Sequence, residues 1–344
     1  MAICRITTVV GLQASDELNV AAEGPRPVNL RTDLGQLADL IEVAFSNSMD
    51  NNGRAAVREM RMMSNLPGLG LLGGMQTLMQ GMGMGYVWVA DGRVVGNVSV
   101  YPADMPGGMG TTWIIVNVAV HPGYQRRGIA QQLMLASMEM IANRGGQTAL
   151  LQVDADNVTA RRLYNRIGFR DEREWTTWRR SSNRILAPLA DADTRLHITY
   201  RNRHEWQQEA ALAELVRPAA TGGLGWLRPL HKRYFAPVWW RQLGDWLSMR
   251  SLERLIIRSQ TEAAIDASLW VEEGRGLSTH LTLLVRPEYE GVYDDALIHT
   301  AVRRFGRNAL TIEHPTDRET TNLILRRYQF QPMRAVVHMR WDAH

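Results

Sequence analysis

The sequence predicts an α/β fold of two tandem domains, each a mixed central sheet flanked by helices. Three observations carry this expectation. The chain of 344 residues exceeds the usual size of a single core and is long enough for two. Its first half alternates period-two and period-3.6 hydrophobic patterns in the order strand, strand, strand, helix, strand, helix, strand. The later part of the second half repeats the end of that order: Val120-His121-Pro122-Gly123-Tyr124 overlays Val285-Arg286-Pro287-Glu288-Tyr289, and Gly168-Phe169 overlays Gln329-Phe330, which reads as an internal duplication.

Taken in order, residues 1–24 form a leader that closes on the punctuation Gly24-Pro25-Arg26-Pro27. The first domain, 25–180, opens with the alternating Val28-Asn29-Leu30-Arg31, read as a strand. A helix follows over Leu34 to Phe45, with Leu37, Leu40, Ile41 and Ala44 at helical spacing and Asp33 placed to cap it. The Met- and Gly-rich stretch from Met60 to Gly85 is too glycine-broken for one regular helix. It reads either as short helical pieces with methionine filling gaps or as an apolar flap. Val87-Trp88-Val89, the turn Asp91-Gly92 and Val94 to Val100 then form a hairpin. A strand from Trp113 to Val120 leads through a short loop into a helix carrying Ile129, Leu133, Met134, Met140 and Ile141, which ends near Gly145-Gly146. Strand Ala149 to Val153, helix Val158 to Ile167 and a strand near Trp175 to Trp178 complete the domain. Residues 181–194 read as a linker. The second domain, 195–344, repeats the pattern with strand His280 to Val285, helix Ala296 to Phe305, strand Leu310 to Glu313 and helix Glu319 to Tyr328.

Composition narrows the function classes. The lone cysteine, Cys4, cannot form an intrachain disulfide, and the N-terminal stretch lacks the long apolar core of a secretory signal; both fit a cytoplasmic protein. No run reaches the roughly 20 apolar residues of a membrane-spanning helix, which argues against a membrane partner. A net charge of +4 permits acidic ligands, but without a concentrated basic face it does not suggest nucleic acid. The histidines lack ligand spacing, so no metal is expected. Five tryptophans between Trp226 and Trp270 read as packing rather than as a ligand pocket.

The chemistry concentrates in Asn117-Val118-Ala119-Val120-His121-Pro122-Gly123-Tyr124-Gln125-Arg126-Arg127-Gly128-Ile129-Ala130. A strand ends, a loop with adjacent arginines turns, and a helix starts at a glycine. That arrangement offers unpaired backbone N–H groups and the positive end of a helix dipole to an anion. Gly128 permits close approach, and Arg126 and Arg127 add charge. A second segment, Asn157-Val158-Thr159-Ala160-Arg161-Arg162-Leu163-Tyr164-Asn165-Arg166-Ile167-Gly168-Phe169, follows the next strand.

Here the sequence resembles the GNAT acetyltransferase superfamily, and within it the branch of the ribosomal-protein N-terminal acetyltransferases. The signature Gln/Arg-x-x-Gly-x-Gly/Ala matches Gln125, Gly128 and Ala130; Asn-x-x-Ala-x-x-x-Tyr-x-x-x-Gly-Phe matches Asn157, Ala160, Tyr164, Gly168 and Phe169. The resemblance implies an acetyl-CoA site between two splayed parallel strands and transfer of acetyl to a primary amine of a small molecule or peptide. It places the main chain of Val118, Ala119 and Val120 along the pantetheine arm and acetyl carbonyl. Gln125 belongs to the cofactor loop, Arg126, Arg127, Gly128, Ile129, Ala130 and Gln131 surround the pyrophosphate, and Asn157 lines the arm. Tyr164 is the implied acid for the departing thiolate. A tyrosine hydroxyl, with a reference pKa near 10, suits that role.

Two departures qualify the resemblance. Where the N-terminal acetyltransferase branch often carries a glutamate proposed as general base, this chain has Gln152, which cannot accept a proton. Asp154, two residues along the same strand face, is the substitute candidate, alongside an ordered water chain. In the second half an ungapped overlay puts Tyr293 and Asp295 opposite Gly128 and Ala130, and Leu325 opposite Tyr164, so that half reads as a degenerate GNAT-like domain. The competing reading is a non-catalytic acyl-CoA-binding or interaction protein. The oligomeric state is not legible in the sequence.

Overall fold

In the first half of the chain, strands β1 (Gly24–Pro27), β2 (Gly85–Ala90), β3 (Arg93–Pro102), β4 (Thr112–Val120), β5 (Thr148–Asp154) and β6 (Arg170–Arg180) accompany helices α1 (Leu30–Ala44), α2 (Asn51–Ser64), α3 (Ile129–Asn143) and α4 (Val158–Arg166). The second half contributes β7 (Ile198–Tyr200), α5 (Trp206–Val216), α6 (Lys232–Phe235), β8 (Ser251–Arg258), β9 (Ile265–Glu273), β10 (Ser278–Val285), α7 (Tyr293–Phe305), β11 (Ala309–Pro315), α8 (Glu319–Arg327) and β12 (Gln331–Asp342). The computed structural model describes residues 23–46, 49, 51–65, 84–103, 105, 111–182, 196–218, 223–225, 228, 230–236, 251–259, 264–273 and 278–343. Residues 1–22 of the expected leader, 183–194 of the linker, 66–83 of the Met- and Gly-rich stretch, and Trp226, Trp239, Trp240 and Trp246 lie outside the described residues.

At the start of the chain the structure departs from the alternation pattern. The extended segment is Gly24–Pro27, paired with β2, and Leu30 already opens α1. Two prolines are tolerated there because β1 is the edge strand, where a missing N–H leaves no ladder partner unsatisfied. Asn29 caps α1 by accepting from the Arg31 N–H at 3.1 Å. Asp33 is instead buried in the first turn, accepting from the Asn29 N–H at 2.8 Å and from both Arg26 guanidinium nitrogens at 2.7 and 2.8 Å. The Asp91-Gly92 turn has positive φ at both residues, as a two-residue hairpin of matching twist requires.

Among the described residues all twelve strands belong to one sheet, in the order β1-β2-β3-β4-β5-β12-β6-β11-β10-β9-β8-β7. Each half builds five strands outward from the centre, with one parallel pair, β4–β5 or β10–β11, and antiparallel neighbours elsewhere. The last strand of each half is exchanged: β12 pairs with β5, β6 pairs with β11, and the two exchanged strands pair with each other. The chain-order partition into 25–180 and 195–344 is therefore not a partition of the sheet.

The exchange carries side chains into the opposite core. Val337 and Met339 of β12 lie in one apolar cluster with Leu133, Met134 and Ile141 of α3 and Leu151 of β5. Trp178 of β6 lies with Leu281, Leu297 and Leu310 of the second half. Burying each such side chain is worth about 1.5–3 kcal/mol, so each half draws part of its core from the other. Polar contacts add to the exchange: Arg173 of β6 meets Asp317 at 2.9 Å, and Arg334 of β12 meets Asp154 of β5 at 2.5 Å.

A chain ending before Gln331 loses the strand between β5 and β6 and leaves both as open edges. We expect it to lose cooperative folding of both halves, visible as loss of a sharp thermal transition by circular dichroism and as aggregation in size-exclusion chromatography. A truncated chain that melts like the full one would show that the first half does not depend on β12.

Candidate functional site

Strands β4 and β5 are in parallel register only from Thr112↔Thr148 to Ile115↔Leu151, yet β4 runs on to Val120. Val116 to Val120 thus have one edge without a strand partner among the described residues. The cause is a bulge. In the pairing of β3 with β4, Asn97 faces Ala119 but Ser99 faces Val116, so Asn117 and Val118 together oppose Val98. Asn117 adopts φ +54°, and a bulge of this kind bends its strand and increases the local twist. Buried Asn97 holds the distortion by donating its side-chain amide to the Asn117 carbonyl at 2.9 Å and to Ser99 Oγ at 3.2 Å. Of the expected cofactor-arm residues, Val118 and Val120 are half-buried and Ala119 is buried.

After β4 the chain makes a single 3-10 turn, Pro122–Tyr124, then reaches α3 through Gln125-Arg126-Arg127-Gly128. Arg126 and Gly128 both have positive φ, 64° and 79°. Left-handed residues in such a turn make successive backbone N–H groups converge into a concavity suited to an anion, and the helix dipole adds to it. Gly128 is the N-cap of α3 without a side-chain cap, so the first-turn N–H groups around Ile129, Ala130 and Gln131 are left for a ligand. Gln125 donates its amide to the Val120 carbonyl at 3.2 Å, tying the loop to the strand end. Arg127 folds back, its guanidinium 4.9 Å from the Tyr124 ring centroid and bonded to the Gly123 carbonyl at 3.2 Å. Arg126 is exposed.

Gly96 of β3 sets the distance of α3 from the sheet. A Cβ there would stand 2.9 Å from both Ile129 Cγ2 and Leu133 Cδ1, so only glycine lets the first turn of the helix lie this close to the bulged strand.

The second motif brings its residues to the same core. Asn157 caps α4, its side-chain oxygen accepting from the Ala160 N–H at 3.1 Å. Tyr164 lies between α4 and the sheet, its ring 6.1 Å from that of Phe169. Its hydroxyl has no hydrogen-bond partner among the described residues, and burial raises its pKa well above the ordinary tyrosine value, which keeps it protonated.

Residues 75–169 match the model of the Acetyltransferase (GNAT) family. That segment of the chain resembles the GNAT acetyltransferases. The match falls on the parted strands, the loop and the second motif. The chain is 32% identical over 84 residues to N-alpha-acetyltransferase 30 of Schizosaccharomyces pombe, covering 24% of this chain and 55% of that protein. It is 42% identical over 66 residues to a mycothiol acetyltransferase of Mycobacteroides abscessus, covering 19% of this chain and 21% of that one. The chain thus spans about half, or less, of the length of these curated relatives. Along nearly its whole length it shares the fold of a tandem GNAT protein from the clavulanic acid biosynthesis pathway, with TM-score 0.53, 16% identity and coverage of 94% of this chain and 99% of that one.

Asp154 and Gln152 share the face of β5 opposite α3. Asp154 is ion-paired with Arg334 of β12. Gln152 stands in register with His338 of β12, its amide nitrogen 3.1 Å from His338 Nε2. Sequence reasoning missed His338, 186 residues away, because only the strand exchange places it there. The imidazole is buried and stacked on Trp175 at 5.6 Å; burial first, and then the charge of Arg173, push its pKa down to about 4.

The second half keeps the plan without the distortion. Strands β9 and β10 pair without a bulge from Thr279↔Glu273 to Val285↔Ala267. The loop before α7 is one residue shorter than its counterpart, so Val292, not Tyr293, stands at the helix N-cap where the first half has Gly128. Asp294 occupies the turn, accepting from the Gly291 N–H at 2.6 Å and the Asp295 N–H at 3.0 Å. A carboxylate of the chain itself already sits where the first half leaves room for an anion. Buried Leu325 takes the place of Tyr164. Among the described residues there is no cluster of metal-ligating side chains, and no helix is long and apolar enough to cross a membrane.

Two outcomes test this geometry. Asn97→Leu removes the side-chain amide that holds the Asn117 carbonyl; we expect a loss of about 1 kcal/mol in denaturant titration, together with weakened CoA binding. His338 is neutral in the folded protein down to about pH 4, whereas an unfolded chain protonates it near 6.5. The unfolded state therefore binds more protons between these values, and stability falls as pH drops from 6.5 towards 4, by about 3 kcal/mol for this group. His338→Gln should flatten that fall, read as the difference between the stability-versus-pH curves of variant and parent.

Proposed function

We propose that the chain is an acetyl-CoA-dependent N-acetyltransferase of the cytoplasm, transferring acetyl directly to a primary amine in a ternary complex. The observation that carries this reading is the bulged β4, parted from β5 and leading into an α3 N-terminus that no side chain of the loop fills. An extended acyl-pantetheine arm suits the free edge of β4, and a pyrophosphate suits the concavity of Arg126 to Gln131. Relatives named for an α-amino group and for mycothiol support an acceptor that is a peptide terminus or a small molecule.

Bound acetyl-CoA supplies a thioester. The chain's task is to orient the amine against it and to manage two protons. Val118 and Ala119 offer main-chain groups to the arm, since the Val120 carbonyl is engaged by Gln125. As the amine nitrogen bonds to the carbonyl carbon and the C–S bond breaks, the electron pair goes to sulfur, and Tyr164 donates its proton there. Burial raises the proton affinity of the tyrosine and so keeps Tyr164 in the protonated form that a donor requires. Asn157 steadies the start of α4, on which Tyr164 rides. With its amide nitrogen turned to His338, Gln152 presents its oxygen to orient an amine N–H. Asp154 takes the amine's proton through water, and solvent reprotonates Tyr164. Acetyl-CoA binds once per chain, because the corresponding turn in the second half is filled by Asp294.

Tyr164→Phe should retain CoA affinity and lose kcat by about 10²- to 10⁴-fold, measured as thiol release with an amine or peptide found by screening. An unchanged kcat where chemistry limits turnover would remove Tyr164 as the acid. Gly128→Glu should abolish calorimetric CoA binding, since its side chain strains a left-handed position and its charge repels phosphate. Binding of CoA without thiol release on any amine would favour the non-catalytic reading, for which Gln152 in place of a glutamate is the supporting feature.

A further inference from the structure

The second half contains a pocket of its own between the ends of β10 and β11, lined by Leu283, Val285, Arg217, His314, Arg173 and Arg318 among others, with about 310 Å³ of unfilled space including its mouth. It lies where the parallel register of β10 with β11 has ended, at Leu281↔Ile312. Two buried basic side chains, Arg217 and His314, line the parting together with Leu283, Val285, Arg173, Arg318 and Glu290.

Arg217, directly after α5, and His314, on β11, are 3% and 6% exposed. Arg217 Nη2 lies 3.0 Å from His314 Nδ1. A guanidinium can only donate, so His314 Nδ1 is the acceptor and the ring proton sits on Nε2. Burial and the neighbouring arginines hold His314 well below its ordinary pKa, which keeps it neutral. Arg217 Nη1 and His314 Nε2 are then both buried donors without a hydrogen-bond partner among the described residues. The other cations here are balanced: Arg173 pairs with Asp317 at 2.9 Å and Arg318 with Glu290 at 2.6 Å. Arg217 has no ion-pair partner among the described residues. Its face rests on Trp175, 5.1 Å from the ring centroid. Burial, with Arg173 and Arg318 nearby, pushes its pKa down to about 9, which leaves it charged at neutral pH.

A buried guanidinium that makes no ion pair among the described residues, acted on by the carboxylate of Glu313 only through space, and two unused donors in one pocket are the complement of an oxyanion. We propose that this pocket binds a carboxylate or phosphate group, held by Arg217 Nη1 and His314 Nε2. The pocket is open at its mouth, where the rest of a larger ligand would lie. This site is distinct from the Arg126-to-Gln131 loop and does not depend on the transferase reading.

The test is calorimetric titration of the full chain with inorganic phosphate and, separately, with acetate, at constant ionic strength. It is carried out in the Gly128→Glu background so that the first-half loop cannot contribute. We expect one saturable site for at least one anion; acetate alone would identify a carboxylate site and phosphate alone a phosphate site. Arg217→Met should weaken that binding by about tenfold or more, and His314→Phe, which keeps a planar ring but removes Nε2, by a comparable factor. If Arg217→Met does not fold by circular dichroism, His314→Phe decides. Absence of saturable binding of both anions, or unchanged affinity in the folded variants, would overturn the proposal. So would binding by the parent that Gly128→Glu abolishes and Arg217→Met leaves intact.

Discussion

The pairing of β6 with β12 at the centre of the sheet is the constraint on which the rest of the structure depends. Each of these strands ends one half of the chain and completes the sheet of the other. A strand placed between two others must satisfy backbone groups on both edges, so neither half can close its sheet without the other. The apolar side chains of Val337, Met339 and Trp178 reinforce this, since each lies in a core built mostly by the opposite half. The degenerate half is therefore a structural component of the half that carries the family motifs.

Against that frame, the site in the first half arises from small departures from regularity. A strand in perfect register on both edges offers nothing to a ligand. The bulge at Asn117 and Val118, held by Asn97, frees one edge of β4, while Gly96 lets α3 settle where that edge ends. Backbone polarity and a helix dipole then converge on the same opening.

The two halves differ at the parting of their parallel strands. Without a bulge and with Asp294 folded into the turn, the second half has no open place for a pyrophosphate. Its strands still part near Val285 and His314, and Arg217 lines the space between them. Trp175 joins the two regions, since His338 stacks on it and Arg217 lies over it.

Much of this was legible from local sequence. Hydrophobic periodicity located α3, α4, β4, β5 and their second-half counterparts, and the two motifs carried the resemblance to the GNAT acetyltransferases that residues 75–169 match, because those signals concern residues within a few turns of one another. The opening strand was misplaced: Val28 to Leu30 alternates like a strand, but the Asn29 cap and the Arg26–Asp33 pair win the segment for α1. The exchange of β6 and β12 had no local signal, since a strand's pattern records which face is buried and not which partner lies along its edge. For the same reason the environments of Gln152 and Asp154 could not be read in advance: His338 and Arg334 reach them from near the far end of the chain. The sequence by itself determined most elements of the first half, the later elements of the second and their repetition, all written in short-range spacing. Only the tertiary structure decided which strands meet, and through them which side chains stand beside the reacting groups, because edge pairing is settled by the packing of the whole sheet.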